Sequence, residues 1–133
     1  MAFIVLDTDV ASLSYKGRLS DSVASQLVGH TLCVTFVTVA EMARWAEKRQ
    51  WGTRARTQLV HWLGSKVILP YDANVSWRWG QLIAAGELRG RPRPINDTWI
   101  AACCLVAGLP LVTLNVKDFA DFADHEGLTI VTG

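Results

Sequence analysis

Long apolar runs are missing from this chain. Nowhere in its 133 residues do 18 apolar residues follow one another, which argues against a membrane-spanning helix. No internal repeat or low-complexity tract occurs, so a solenoid is excluded as well. Cysteine is scarce: Cys33, Cys103 and Cys104 are odd in number and show neither C-x-x-C nor a Cys/His spacing for zinc. They are expected as small core residues, and none is expected as a nucleophile. His30, His61 and His125 are scattered and suggest no catalytic role. The N-terminus has no basic segment ahead of its short apolar run, so that run reads as a strand and not as a secretory signal. A cytoplasmic protein without a membrane segment is the expectation.

What the chain does have is enough apolar material for a full core. Half of its residues are hydrophobic, consistent with one compact domain over residues 1–133. Its net charge of +1 conceals an uneven distribution, with a basic middle third and an acidic C-terminal third. The stretches "EKRQWGTRART" (47–57) and "LRGRPRP" (88–94) suggest contact with a polyanion or an acidic partner segment. Trp77, Trp79 and Trp99 are expected in the core or on a dimer surface.

Short β-branched, apolar runs at 3–6, 32–35, 67–69, 111–114 and 128–131 read as strands. Helical patterns fall near 10–16, 21–28, 38–50, 53–63, 73–88 and 97–107. That alternation predicts an α/β fold: a central parallel sheet of four to five short strands, flanked by helices and joined by right-handed crossovers. In such sheets function gathers in the crevice beyond the carboxyl ends of the strands.

The acids fall where that crevice is expected. In "FIVLDTDVAS" (3–12), Asp7 ends the first strand, and Asp9 reads as the N-cap of a helix starting at Val10. Asn115 and Asp118 follow the strand "LVTL" in the same way. Thr38 and Glu41 fit a capping box, and Asn96 could cap the helix headed by Asp97. That helix is almost wholly apolar, however, so Asp97 should point inward, where an unpaired charge is expensive. Carboxylates crowded together repel by about 4 kcal/mol per pair at roughly 4 Å and an effective dielectric near 20. A cation or protonation makes such a cluster tolerable, and all-oxygen ligands select Mg²⁺ or Mn²⁺ over zinc. With a basic flank, a hard divalent ion points to phosphodiester chemistry. Thr8 and Thr113 could hydrogen-bond a carboxylate or a phosphate. Arg44, Trp45 and Lys48, at i+3, i+4 and i+7 from Glu41, could contact a phosphate backbone beside such an ion.

"FIVLDTDVAS", "VTFVTVAEMARW" and "PINDTWIAACCLVAGLPLVTLNVKDF" together resemble the PIN-domain family, specifically the VapC-type ribonuclease toxins of bacterial toxin–antitoxin pairs. The resemblance covers nearly the whole chain. It implies a metal-dependent endoribonuclease that cleaves RNA, often a structured RNA such as tRNA. It further implies a homodimer, neutralised by a cognate antitoxin in a heterotetramer or larger assembly. Carried onto this chain, it makes Asp7 and Asp97 metal ligands and Glu41 a residue that helps hold the metal or its waters. The fourth site position falls to Asn115 or Asp118.

Two rivals are weaker. The D-x-D element of HAD-type phosphatases also matches "LDTDV", but that family wants Thr or Ser where Ala11 stands. A degenerate PIN domain that only binds a partner draws its sole support from Asn115.

Overall fold

The computed structural model describes residues 2–133. Twelve elements follow one another: β1 (Ala2–Leu6), α1 (Thr8–Tyr15), α2 (Asp21–Leu27), β2 (His30–Thr35), α3 (Phe36–Lys48) and α4 (Thr53–Gly64). Then come β3 (Val67–Leu69), α5 (Ala73–Leu88), α6 (Ile95–Ala107), β4 (Leu111–Val112), α7 (Val116–Glu126) and β5 (Ile130–Val131). The five strands form one sheet in the order β3-β2-β1-β4-β5, and every pair is parallel.

Both faces of the sheet are buried, as the apolar strands require. Along β1 the pleat sends Ile4 and Leu6 to one face and Val5 to the other. On the first face they meet Val10 and Ala11 of α1, Val23 of α2, Met42 and Ala46 of α3, and Leu59 and Leu63 of α4. On the second, Val5, Cys33 and Leu111 meet α5, α6 and α7 through Leu82, Ile100, Cys104, Phe119 and Phe122. Chain direction explains the division. From β1 the chain winds outward through β2 to β3, then returns to the other side of β1 for β4 and β5. Right-handed crossovers in opposite directions place their helices on opposite faces. The strand order therefore reverses between β1 and β4, which opens a crevice at their carboxyl ends.

Several sequence expectations change here. A seventh helix, α7, occupies a segment read as having none, although Val116, Phe119, Ala120 and Ala123 recur there at helical spacing; Phe119 and Phe122 are its buried residues. The fourth strand stops at Val112 and the fifth is confined to Ile130–Val131. Helix starts also move. Asp7, not Asp9, caps α1, because the helix begins at Thr8 and the Asp7 Oδ1 accepts the Asp9 and Val10 amides at 2.8 and 3.1 Å. Thr35, not Thr38, caps α3, since β2 passes straight into the helix and the Thr38 amide donates to Thr35 Oγ1. Pro94 occupies the N-cap position of α6, ahead of Asn96.

The basic stretches are also less free than their charge suggests. Arg93 is buried and donates to Asp121, Glu126 and the Leu82 carbonyl, with its guanidinium 4.3 Å from the Phe122 ring centre. Arg89 joins it on Asp121, and Arg56 pairs with Glu47. Part of the basic middle third thus neutralises the acidic C-terminal third within the chain. Trp79 and Trp99 pack against the core while Trp77 is 76% exposed. The three cysteines are buried and unpaired, and burial pushes their thiols up, as fits core residues. Among the described residues no helix is long and apolar enough to cross a membrane.

Candidate active site

Sheet register builds the centre of the site. Leu6 pairs with Val112, so the next residue on each strand, Asp7 and Thr113, emerge side by side at the crevice. Asp7 is only 3% exposed, and both its oxygens are occupied. Oδ1 takes the two α1 amides, while Oδ2 accepts the Thr113 hydroxyl. Thr113 in turn accepts the Asn115 amide at 2.9 Å. The N-cap thus does two jobs: it satisfies orphan amides at the start of α1 and fixes the carboxylate against the strand ends.

Glu41 arrives from α3 and is oriented from below by threonines. Thr8 Oγ1 donates to Glu41 Oε1 at 3.0 Å and lies 2.9 Å from Thr38 Oγ1. A hydroxyl has one proton, so Thr8 spends it on Glu41 and accepts from Thr38. Asp97 stands in the first turn of α6, and Asn115, at the N-cap of α7, closes the crevice with its side-chain nitrogen donating to Asp9. Among the described residues nothing donates to the Asn115 side-chain carbonyl oxygen.

Asp7, Thr8, Asp9, Glu41, Asp97 and Asn115 line one pocket of about 90 Å³, with Ile100 and Phe119 as apolar walls. It is polar and much smaller than the few hundred Å³ of an ordinary small-molecule site, which suits a hydrated ion. Asp118 is exposed on the first turn of α7 and is not among the lining residues, yet its charge acts on Asp97. Thr113 lies behind Asp7, and Arg44 lines a neighbouring cleft that shares Glu41. Lys48 is exposed and lines neither pocket.

Sequence reasoning gave Asp9 a capping role and left Thr38 as a cap. The structure puts Asp9 on the pocket wall and Thr38 beneath Glu41. A D-x-D spacing beginning at a helix N-cap was the available signal, since it sets the second acid in the first turn.

The pocket is electrostatically strained. Burial, followed by the charges of Asp118, Asp7, Glu41 and Asp9, pushes the Asp97 carboxyl up to about 6. Burial also raises Asp7; hydrogen bonds from Thr113 and Val10 work against the rise and the charge of Asp9 adds to it. Among the described residues no three His, Cys, Asp or Glu side chains form a ready-made metal cage. The donor set itself fits a hard divalent cation: four carboxylates and one amide carbonyl, with no sulfur or imidazole on the wall.

A family-wide sequence model described as the PIN domain matches residues 4–125. The chain belongs to the PIN-domain family. Its relatives place this PIN domain among the VapC ribonucleases. It is 34% identical over 119 residues to "Ribonuclease VapC5" of Mycobacterium tuberculosis, covering 87% of this chain and 84% of that protein. It is 29% identical over 120 residues to the "tRNA(fMet)-specific endonuclease VapC" of Shigella flexneri, covering 90% of this chain and 91% of that one. Among solved structures, this PIN domain superimposes on the VapBC-5 member of the VapBC toxin–antitoxin family from Mycobacterium tuberculosis. The TM-score is 0.72 at 29% identity, with 100% of both chains covered.

Proposed function

We propose that this PIN domain is the toxic, Mg²⁺- or Mn²⁺-dependent endoribonuclease of a toxin–antitoxin pair, acting in the cytoplasm on a structured RNA such as tRNA. The observation that carries this reading is the convergence of Asp7, Asp9, Glu41, Asp97 and Asn115 on one small pocket at the β1/β4 switch point. The tRNA substrate draws support from the name of the Shigella relative, and the antitoxin from the VapBC assembly of the Mycobacterium structure. A homodimer, joined by antitoxin into a heterotetramer or larger complex, is the assembly the kinship favours.

In this reading Asp7 and Asp97 hold the ion, and Glu41 holds it or its waters. Asn115 is the fourth site residue through its carbonyl oxygen, while exposed Asp118 acts through its field. When bound, the ion offsets charge on the phosphoryl oxygens and acidifies water. The chain supplies rigidity: the α1 amides and Thr113 fix Asp7, and Thr8 fixes Glu41, so these carboxylates need not turn during the reaction. Arg44 offers a cation to the phosphate backbone.

The test is incubation of purified, antitoxin-free protein with total RNA in Mg²⁺ or Mn²⁺, followed by mapping of the new RNA ends. Cleavage is expected with either metal, to stop in EDTA, and to concentrate at one site in one RNA. No cleavage with either metal, or equal cleavage by Asp7→Asn, refutes the nuclease reading and favours a binding module. Ends spread over many RNAs refute the toxin reading alone.

Thr113→Val provides a finer check. It keeps the shape but removes the proton donated to Asp7 and the acceptor for the Asn115 amide. Loss of such a supporting hydrogen bond is expected to slow cleavage about 10-fold and to raise the metal concentration needed for half-maximal rate. Unchanged metal dependence in a titration of cleavage rate would show that Thr113 does not position the acid.

A further inference from the structure

Beside the acid pocket lies a second cleft of about 370 Å³, lined by Phe36, Glu41, Arg44, Asn96 and Trp99 among others. The two share the Glu41 wall. Its aromatic side is built and braced: Phe36 and Tyr71 meet Trp99 edge-on at 5.7 and 5.9 Å, and Trp79 stacks on Trp99 at 4.9 Å. Tyr71 remains 61% exposed despite these contacts. The polar side has capacity to spare. Arg44 and Asn96 are exposed, and among the described residues neither side chain makes a hydrogen bond or ion pair within the chain.

We infer that this cleft binds one unstacked nucleobase next to the scissile phosphate of the RNA. Phe36 and Trp99 supply the stacking surface, Asn96 hydrogen-bonds the base edge, and Arg44 holds the adjoining phosphate. The inference rests on the ribonuclease reading and follows from the connectivity of RNA. A pocket that shares a wall with the phosphate-cleaving centre meets the nucleoside attached to that phosphate. Single-stranded or splayed-out RNA bases are recognised by aromatic stacking combined with hydrogen bonds to the base edge. An apolar protein segment would use the aromatic wall but leave the Arg44 cation and the Asn96 amide without charged or polar matches.

The test measures binding without cleavage, in the Asp97→Asn background with Mg²⁺. Fluorescently labelled RNA 10-mers of A, U or C are compared by anisotropy with a 10-mer of abasic ribose phosphate. The phosphates are equal in number, so the difference reads the base alone. At least one base-bearing 10-mer is expected to bind about 10-fold or more tightly than the abasic one. That advantage should shrink severalfold in Phe36→Leu and, with the fold undisturbed at an exposed position, in Asn96→Ala. Equal binding of abasic and base-bearing RNA overturns the inference, as does an advantage that persists in both variants. So does a cleft covered by a second copy of the chain, seen as Phe36→Leu weakening self-association in sedimentation while base discrimination stays unchanged. Base-dependent binding by a wild-type protein that cuts no RNA removes the ribonuclease reading and leaves the base site standing.

Discussion

Replacing Asp97 with asparagine is expected to make the protein more stable and about 10²–10³-fold slower at cutting RNA. Both effects have one origin. Asp97 is partly buried and faces Asp118, Asp7, Glu41 and Asp9, which together with burial raise its carboxyl from 3.8 to about 6. At roughly 1.4 kcal/mol per pKa unit, its ionised form costs the metal-free fold about 2–3 kcal/mol at neutral pH. The sign follows from proton binding. Below the unfolded value both states are protonated and nothing is lost. Between about 4 and 6 the unfolded chain ionises while the folded one keeps its proton, so stability falls as pH rises; above that window the loss is constant. Asparagine removes this dependence. Urea unfolding in EDTA at pH 4, 5, 6 and 7 should show the variant gaining on the wild type across that window. An equal or lower midpoint at pH 7, or wild-type cleavage in Mg²⁺, contradicts the assignment of Asp97 as a charge held for function at the expense of the fold.

Loss of Arg93 is expected to act in the opposite direction, lowering stability by about 3 kcal/mol in Arg93→Met. Its side chain is 3% exposed and ties together elements distant in sequence. It donates to the α5 carbonyl of Leu82 and to Asp121 and Glu126 of α7, from a position just ahead of α6. Gly86 makes room for it: a Cβ there would lie 2.8 Å from the Arg91 carbonyl and 3.0 Å from Arg93 Cγ. Methionine would fill much of the space and leave the carbonyl and two carboxylates without their donor. Slight burial alone would raise Asp121, but the hydrogen bonds of Arg93 and Arg89 outweigh it and hold the carboxyl below its usual range. The stability this contributes is present above the unfolded carboxylate value and is lost as pH falls through the lower, folded one. Arg93→Met should therefore lose most at neutral pH and differ least from the wild type in acid, as read by thermal unfolding. Arg93→Lys, which keeps the charge without the planar fork, should lose less. A Met variant as stable as the wild type at pH 7 would remove the clamp from this account.

How far the sequence could be read depended on the range of each interaction. Runs such as "FIVL" and "LVTL" announce buried parallel strands because both faces are covered, and an acid directly after such a run is placed at the sheet's carboxyl edge by chain connectivity alone. Asp7 is legible for that reason; Glu41 and Asp97 stand on helices, and Asp97 shows itself as an acid heading an apolar stripe. Helix α7 carries the same kind of signal, with Val116, Phe119, Ala120 and Ala123 at i, i+3, i+4 and i+7 and Gly127 just past its end, so reading no helix there misreads a pattern that is present. The caps were misassigned by two or three residues, since Asp7 and Thr35 end a strand and start a helix at once. "LRGRPRP" reads as a surface for a polyanion or an acidic partner segment; Arg93 and Arg89 do meet an acidic segment, but within the chain, on α7, 28 and 32 residues further along.

By itself, then, the sequence determined the class of the fold, the position of Asp7 at the end of a strand and that of Asp97 at the head of an apolar helix, because these depend on local pattern and covalent order. Tertiary structure decided the rest. Pairing of β1 with β4 sets Thr113 against Asp7 across 106 residues, and packing of α1, α3 and α6 around that edge sets Asp9, Glu41 and Asp97 on one wall. It also decided which cations are consumed inside the molecule and which, like Arg44, have no ion-pair partner among the described residues. Each of these outcomes is fixed by sheet order and helix packing between distant segments, and a local pattern carries no record of its distant neighbour.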